Sequence, residues 1–188
     1  MKRIITALLI LALLPISACA QNKQNMNNDN YKKVLVAYFS ATGTTERAAK
    51  TLAAATGGDL FEIAPVPRYT SADLNWHDRK SRSSEEMADS KCRPEIKNVK
   101  TDIVDYDIVF IGYPIWWDLA PRQVYTFIDK HDLAGKLVVP FATSGGSSIN
   151  GSVADFKRVY PKLDWDNGRL VNRIDAKGAK AWFDSLNK

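Results

Sequence analysis

Three short runs of almost continuously apolar residues constrain the fold of this chain more than any other feature. They cover residues 34–39, 107–112 and 137–142. A strand that is exposed on one face alternates apolar and polar residues, whereas a parallel strand covered by helices on both faces is apolar throughout. The runs therefore predict buried parallel strands, although Pro140 in the last run has no N–H to offer one of its neighbours.

Segments with helical periodicity separate these strands. After the first strand, Ala48, Ala49 and Leu52 form an apolar stripe on a helix that ends at Gly57. Strands that alternate with helices form right-handed crossovers, so we predict an α/β domain with a five-stranded parallel sheet of order 2-1-3-4-5. The predicted helices cover residues 45–56, 152–160 and 176–186, with another that begins at Pro121, and two further short strands cover 60–63 and 169–171.

Residues 65–100 are long for a single crossover, and long insertions in compact domains are often functional. This segment contains Trp76 and His77 and is predicted to form a helix near residues 84–91. His77 could donate a proton near a ligand, although a solvent-facing histidine is the simpler reading. The chain's other histidine, His131, is expected on the surface of a turn.

The first 19 residues have the features of an export signal. Lys2 and Arg3 precede an apolar run that is too short for a comfortable bilayer span. The sequence Ile-Ser-Ala-Cys that follows resembles the lipobox of bacterial lipoproteins. This implies that residues 1–18 are removed and that Cys19 is acylated and held in membrane lipid outside the cytoplasm. An ordinary secretory signal or a retained anchor are the alternatives.

Residues 19–32 are rich in Asn, Gln and Lys and cannot bury a core, so we predict a flexible tether before a single domain at 33–188. Without Lys2 and Arg3 the chain has 24 basic and 21 acidic residues, and no basic block alternates with aromatic residues. Nucleic acid is therefore not an expected partner. If Cys19 is acylated, Cys92 has no disulfide partner, and no residues have metal-ligand spacing.

The loop between the first strand and the first helix has the composition of a phosphate site. Such a loop lies at the carboxyl edge of the sheet and faces the positive end of a helix. Gly43 allows close backbone approach, and the absence of a Walker lysine and of G-x-G-x-x-G favours one terminal phosphate. The alternative is a polar turn in which a threonine caps the helix. The hydroxyl-bearing residues are Ser40, Thr42, Thr44 and Thr45.

Three segments together resemble the ligand loops of flavodoxins. A-Y-F-S-A-T-G-T-T at residues 37–45 is similar to their phosphate loop. G-Y-P-I-W-W at 112–117 is similar to the second, flavin-contacting loop, and T-S-G-G-S at 143–147 to the third. Each segment follows a predicted strand, and the similarity covers nearly everything from Lys33 onward. The resemblance implies a flavodoxin-like three-layer sandwich that binds FMN.

The resemblance also implies which residues contact the flavin. The second loop would lie along the isoalloxazine ring, with one tryptophan stacked on it and the other expected in the core. Main-chain N–H groups of the third loop would reach the pyrimidine edge, unless this loop only leads into a helix. The implied contacts are Pro114, Ile115, Trp116 and Trp117 in the second loop, and Thr143, Ser144, Gly145, Gly146 and Ser147 in the third.

Two departures from the flavodoxin pattern bear on activity. The third loop has no aromatic residue, which leaves one flavin face open to solvent, to the Trp76–His77 insertion or to a substrate. Asp118 stands where relatives often have glycine, in a loop whose peptide flips in electron-carrier flavodoxins. Its charge would disfavour an anionic reduced flavin, so strict one-electron shuttling is in question.

Three functions remain open at this level. The first is an FMN-dependent oxidoreductase or electron carrier that exchanges electrons with a redox partner outside the cytoplasm. The second is a flavin-dependent reductase of a quinone or another small acceptor. The third is a lipoprotein that binds another phosphate-bearing ligand without redox chemistry.

Overall fold

The computed structural model describes residues 32–186, which contain a parallel β-sheet with helices on both faces. The strands follow the order β2-β1-β3-β4-β5, with β6 also paired to β4, and every pairing is parallel. This confirms the predicted order. The strands are β1 Val34–Tyr38, β2 Asp59–Glu62, β3 Ile108–Pro114, β4 Leu137–Thr143, β5 Asp164–Trp165 and β6 Arg169–Leu170. The helices are α1 Thr44–Thr56, α2 Arg82–Ala88, α3 Arg122–Asp129, α4 Asn150–Val159 and α5 Ala176–Leu186.

The central strands are buried because both of their faces pack against apolar side chains. Along β1, Leu35 and Ala37 belong to one core cluster, while Val36 and Tyr38 belong to the cluster on the opposite face. This alternation is the period of two expected for a strand. Two separate cores hold the sheet between helical layers, so the apolar runs in the sequence predicted the correct strands.

Pro140 explains why the fifth position of the sheet is divided. Two short strands pair with β4 on the side away from β3: β5 at residues 137–138 of β4, and β6 at 141–142. Between them the chain departs from the sheet, with Gly168 at φ 68° and close to the carbonyl oxygen of Pro140. Since Pro140 has no N–H to donate, continuous pairing is interrupted there. The sequence predicted β6 but not β5.

The long insertion between β2 and β3 closes on itself. Val66 donates its N–H to Glu95 O at 2.8 Å, and Lys97 donates to Ala64 O at 2.8 Å. The side chain of Arg122 in α3 donates to Met87 O at 2.9 Å, which satisfies a carbonyl at the end of α2. The insertion is therefore fastened to the sheet edge and to α3.

His131 is buried, which corrects the expectation that it lies on the surface. Its Nε2 accepts the N–H of Lys100 at 2.8 Å, and its Nδ1 lies 2.6 Å from Phe127 O. These contacts require a proton on Nδ1 and none on Nε2, and burial lowers the pKa of the imidazole. The ring also packs against Phe127 and Phe61, so it joins the insertion to α3.

Within residues 32–186, no helix combines the length and the apolar character needed to cross a bilayer.

Candidate functional site

Three loops meet where β1, β3 and β4 end. The register pairs Tyr38 with Gly112 and Pro114 with Thr143, so the residues that follow all emerge at the carboxyl edge of the sheet. Between the loops lies a cavity of about 380 Å³. Its lining comes from all three predicted segments and one further residue: Thr42, Thr44, Pro114, Ile115, Trp116, Thr143, Ser144, Gly145 and Asn172.

The first loop presents open donors to this cavity. Gly43 stands at the N-cap of α1 with φ 86°, and its N–H donates to Ser40 Oγ at 3.1 Å. Within residues 32–186, no protein group accepts a hydrogen bond from the N–H of Thr42 or from those of residues 44–46. Unpaired amides at a helix start, together with its positive dipole end, form an anion site.

The hydroxyls of this loop divide into two kinds. Those of Thr42 and Thr44 have no hydrogen-bond partner in the described part of the chain, and both residues line the cavity. The Thr45 hydroxyl is buried and lies 2.8 Å from that of Thr143. This pair joins the start of α1 to the end of β4, so Thr45 and Thr143 hold two of the loops together.

The second loop is a tight turn with an unusual backbone. Trp116 and Leu119 exchange two N–H···O bonds of 3.0 Å, and the two residues between them have positive φ, 46° at Trp117 and 61° at Asp118. Two such residues in a row are the mark of a type I′ turn, which favours Asn-Gly. A positive φ such as that of Trp117 is rare for a residue with a bulky side chain.

The structure distinguishes the two tryptophans of this loop. Trp116 is half-buried, and its ring meets those of Phe39 and Tyr69 edge to face with centroids 5.5 and 5.4 Å away. Trp117 is 48% exposed, which corrects the expectation that the second tryptophan lies in the core. Trp116 lines the cavity and Trp117 does not, so Trp116 is the indole placed to cover a ligand there.

Tyr69 supports Trp116 from the insertion, and its role is not evident from the sequence. The Tyr69 hydroxyl donates to Glu86, and the guanidinium of Arg82 lies 4.2 Å from the ring centroid. Arg82 Nε also donates to Glu86 at 2.6 Å. Burial and the neighbouring carboxylate raise the pKa of Tyr69, which keeps its hydroxyl a donor.

The third loop is held by Asn172, another residue that the sequence analysis missed. The Asn172 amide accepts from Ser144 N–H and donates to Ser144 O, both at 2.8 Å, as a neighbouring strand would. The N–H of Gly146 donates to Ser144 Oγ at 3.1 Å. A methyl group added at Gly145 or Gly146 would meet no atom within 4 Å, so the space beside this loop is open.

None of the described residues that line the cavity has an ionisable side chain. Among the described residues, no three His, Cys, Asp or Glu side chains are grouped to hold a metal. The lining can donate hydrogen bonds and cover an aromatic surface, which suits a bound group that supplies its own chemistry.

The other residues singled out in the sequence lie elsewhere. Ser147 follows the cavity-lining residues of the third loop without lining the cavity itself. Trp76 and His77 are exposed on the insertion and border a different cavity together with Trp117. Cys19 lies outside the described residues.

Comparison with known proteins supports the geometry. A family model described as Flavodoxin matches residues 33–186. The chain is also similar to two crystal structures assigned as flavoproteins. The one from Bacteroides eggerthii has 62% sequence identity over 84% of this chain and 99% of that chain, with a TM-score of 0.81. The one from Bacteroides uniformis has 52% identity over 81% of this chain and 98% of that chain, with a TM-score of 0.79.

A flavoprotein from Lactobacillus acidophilus, solved in complex with FMN, shares the fold at 21% identity over 84% of this chain and 99% of that one, with a TM-score of 0.64. None of the curated proteins matches the chain.

Proposed function

The chain belongs to the flavodoxin family, and from this premise we propose that it binds FMN at the three loops and acts in electron transfer or as an oxidoreductase. The observation that carries the proposal is the row of unpartnered amides at the start of α1, which opens into a cavity walled by Trp116. A phosphate fits the first feature, and a flat ring fits the second.

The fit extends to each part of the cofactor. The amides of Thr42 and of residues 44–46, with the Thr42 and Thr44 hydroxyls, would hold the phosphate. Trp116, supported by Tyr69 and Phe39, would cover one face of the ring. The third loop, held by Asn172, would offer main-chain groups to the ring edge. FMN supplies the redox chemistry, and the protein orients the cofactor and tunes its potential.

Loss of cofactor in a backbone variant tests this proposal. Gly43→Val places a β-branched residue at φ 86°, which distorts the phosphate loop, although the position is sterically open. We expect the purified protein to be yellow and the variant to bind FMN at least tenfold more weakly in a fluorescence titration.

Gly57→Val is the matched control. Gly57 also has positive φ and open space, but it lies at the opposite end of the same helix. We expect the Gly57→Val variant to be less stable than the wild type but to bind FMN with the same affinity. A colourless wild-type protein that cannot be reconstituted with FMN would favour the non-redox, phosphate-ligand alternative instead.

Redox titration of the FMN-bound protein separates the two redox functions. Reduction in two resolved one-electron steps indicates a carrier, whereas a single two-electron step with turnover of a quinone indicates a small-acceptor reductase. Asp118, exposed at φ 61°, places a negative charge in the second loop, which would lower the potential of the step that forms an anionic reduced flavin.

We also propose that the protein is exported and anchored through acylated Cys19, on the strength of the lipobox resemblance. Labelled palmitate should enter the full chain and the Cys92→Ala variant but not Cys19→Ala. Equal labelling of all three would disprove the anchor.

A further inference from the structure

A second cavity, of about 650 Å³, lies between the insertion and the second loop. It shares no lining residue with the cavity assigned to FMN. The adjacent residues Trp116 and Trp117 connect the two, because Trp116 lines the first cavity and Trp117 the second. The lining consists of Trp76, His77, Arg79, Ser84, Met87, Ala88, Trp117 and Leu119.

Aromatic side chains that are exposed to solvent form much of the wall of this cavity. Trp76 is 65% exposed and Trp117 is 48% exposed, and the ring of His77 lies on that of Trp76 with centroids 3.5 Å apart. Exposed apolar surface concentrated in a concave site is typical of ligand binding. Trp117 also occupies a backbone conformation that costs a bulky residue free energy, and such strain is concentrated at functional sites.

Two polar side chains of the lining, Arg79 and His77, suit a ligand with acceptor oxygens, whereas the Ser84 hydroxyl already donates to Asp78 O at 2.7 Å. The Arg79 guanidinium has no ion pair or hydrogen bond in the described part of the chain. The lining residues that the structure describes include no carboxylate. Of the acids beside lining residues in the chain, Glu86 accepts from Arg82 and Tyr69, Asp78 from the Lys80 N–H and Asp89 from the Lys91 N–H, and Glu85 is exposed. Asp118 follows Trp117 in the turn and is exposed, so the remaining uncompensated charge of the lining itself is positive.

We propose that this second cavity binds a planar aromatic molecule of the quinone class. Trp76 and Trp117 would hold the ring by stacking, and Arg79 and His77 would donate to its carbonyl or anionic oxygens. The choice of a redox-active ring rests on the proposed function, because the cavity adjoins the loop that would cover FMN. The binding site itself depends only on the described side chains.

Calorimetric titration of FMN-loaded protein with 1,4-naphthoquinone-2-sulfonate tests the proposal. We expect saturable binding that weakens at least tenfold in Trp76→Ala, threefold or more in Arg79→Gln, and little in Trp76→Phe, which keeps a stacking ring. Val104→Ala, which changes an exposed apolar residue outside this lining, is the control and should match wild type. FMN affinity should be the same in all four variants.

Two results would overturn the inference. One is equal affinity of Trp76→Ala and Val104→Ala for the quinone. The other is equal binding of cyclohexanesulfonate, which has the charge but no aromatic ring. The same titrations on protein without FMN separate this inference from the proposed function, since failure to bind FMN would leave quinone binding at Trp76 measurable.

Discussion

Asp118 occupies a position that suits glycine better. With φ at 61° in a type I′ turn, it adopts the left-handed region that costs most L-residues about 1–2 kcal/mol. We predict that Asp118→Gly is more stable than Asp118→Ala by about 1 kcal/mol, because both remove the charge but alanine keeps the strain. Urea unfolding of the two variants measures the difference. Equal stability would mean that the turn relaxes without cost.

His131 should make stability depend on pH. Its imidazole is neutral in the fold, with Nε2 accepting from Lys100, and burial lowers its pKa below the unfolded value of about 6.5. Above pH 6.5 both states are neutral. As the pH falls below 6.5, the unfolded chain takes up a proton before the folded one, so the free energy of unfolding decreases until the folded pKa is passed.

The prediction is that His131→Gln loses this part of the pH dependence between pH 6.5 and 5. His77→Gln, at an exposed ring, serves as the control and should keep the wild-type slope. Urea unfolding at several pH values gives the comparison. If the free energy of unfolding of His131→Gln changes with pH as steeply as that of the wild type, other groups cause the pH dependence.

At the scale of elements, the start of α4 supports the second loop. A Cβ added at Gly151 would lie 2.9 Å from the carbonyl oxygen of Asp118, so glycine is needed for the helix to approach the turn this closely. In an ordinary helix, replacing glycine with alanine stabilises by up to about 1 kcal/mol. For Gly151→Ala we predict no such gain in stability. We also predict that the variant binds FMN severalfold more weakly, because the turn has to move.

Gly178→Ala in α5 is the matched comparison for Gly151→Ala. Its Cβ would lie 3.0 Å from Asp175 Oδ1, the end of a side chain that can rotate, and 3.8 Å from Ile174 Cγ1, which is an ordinary contact. Fluorescence titration should give wild-type FMN affinity for this variant. If Gly151→Ala also binds normally, α4 does not constrain the loop.

For the whole molecule, cofactor binding should raise stability in proportion to affinity. Because FMN binds only the folded chain, a concentration one hundred times the Kd should add about 2.7 kcal/mol to the free energy of unfolding. Riboflavin has the ring but no phosphate, so at the same concentration it should raise the melting temperature less. Equal shifts would show that the amides at the start of α1 do not bind the phosphate.

Much of the architecture could be predicted because it depends on local pattern. Continuous apolar runs identified β1, β3 and β4, and helical periodicity placed α1 and α5 within a residue of their observed bounds. Three ligand loops follow once those strands are parallel, since parallel strands deliver their following loops to one edge. The sequence therefore determined the fold class, the strand order and the position of the candidate site.

Tertiary structure alone decided how that site is supported. Asn172 clamps a residue 28 positions earlier in the chain, and Tyr69 packs against Trp116 across the insertion. The burial of His131 depends in the same way on Lys100, 31 positions away. Periodicity reports only the local environment of a residue, whereas these roles depend on which distant segments the folded sheet brings into contact.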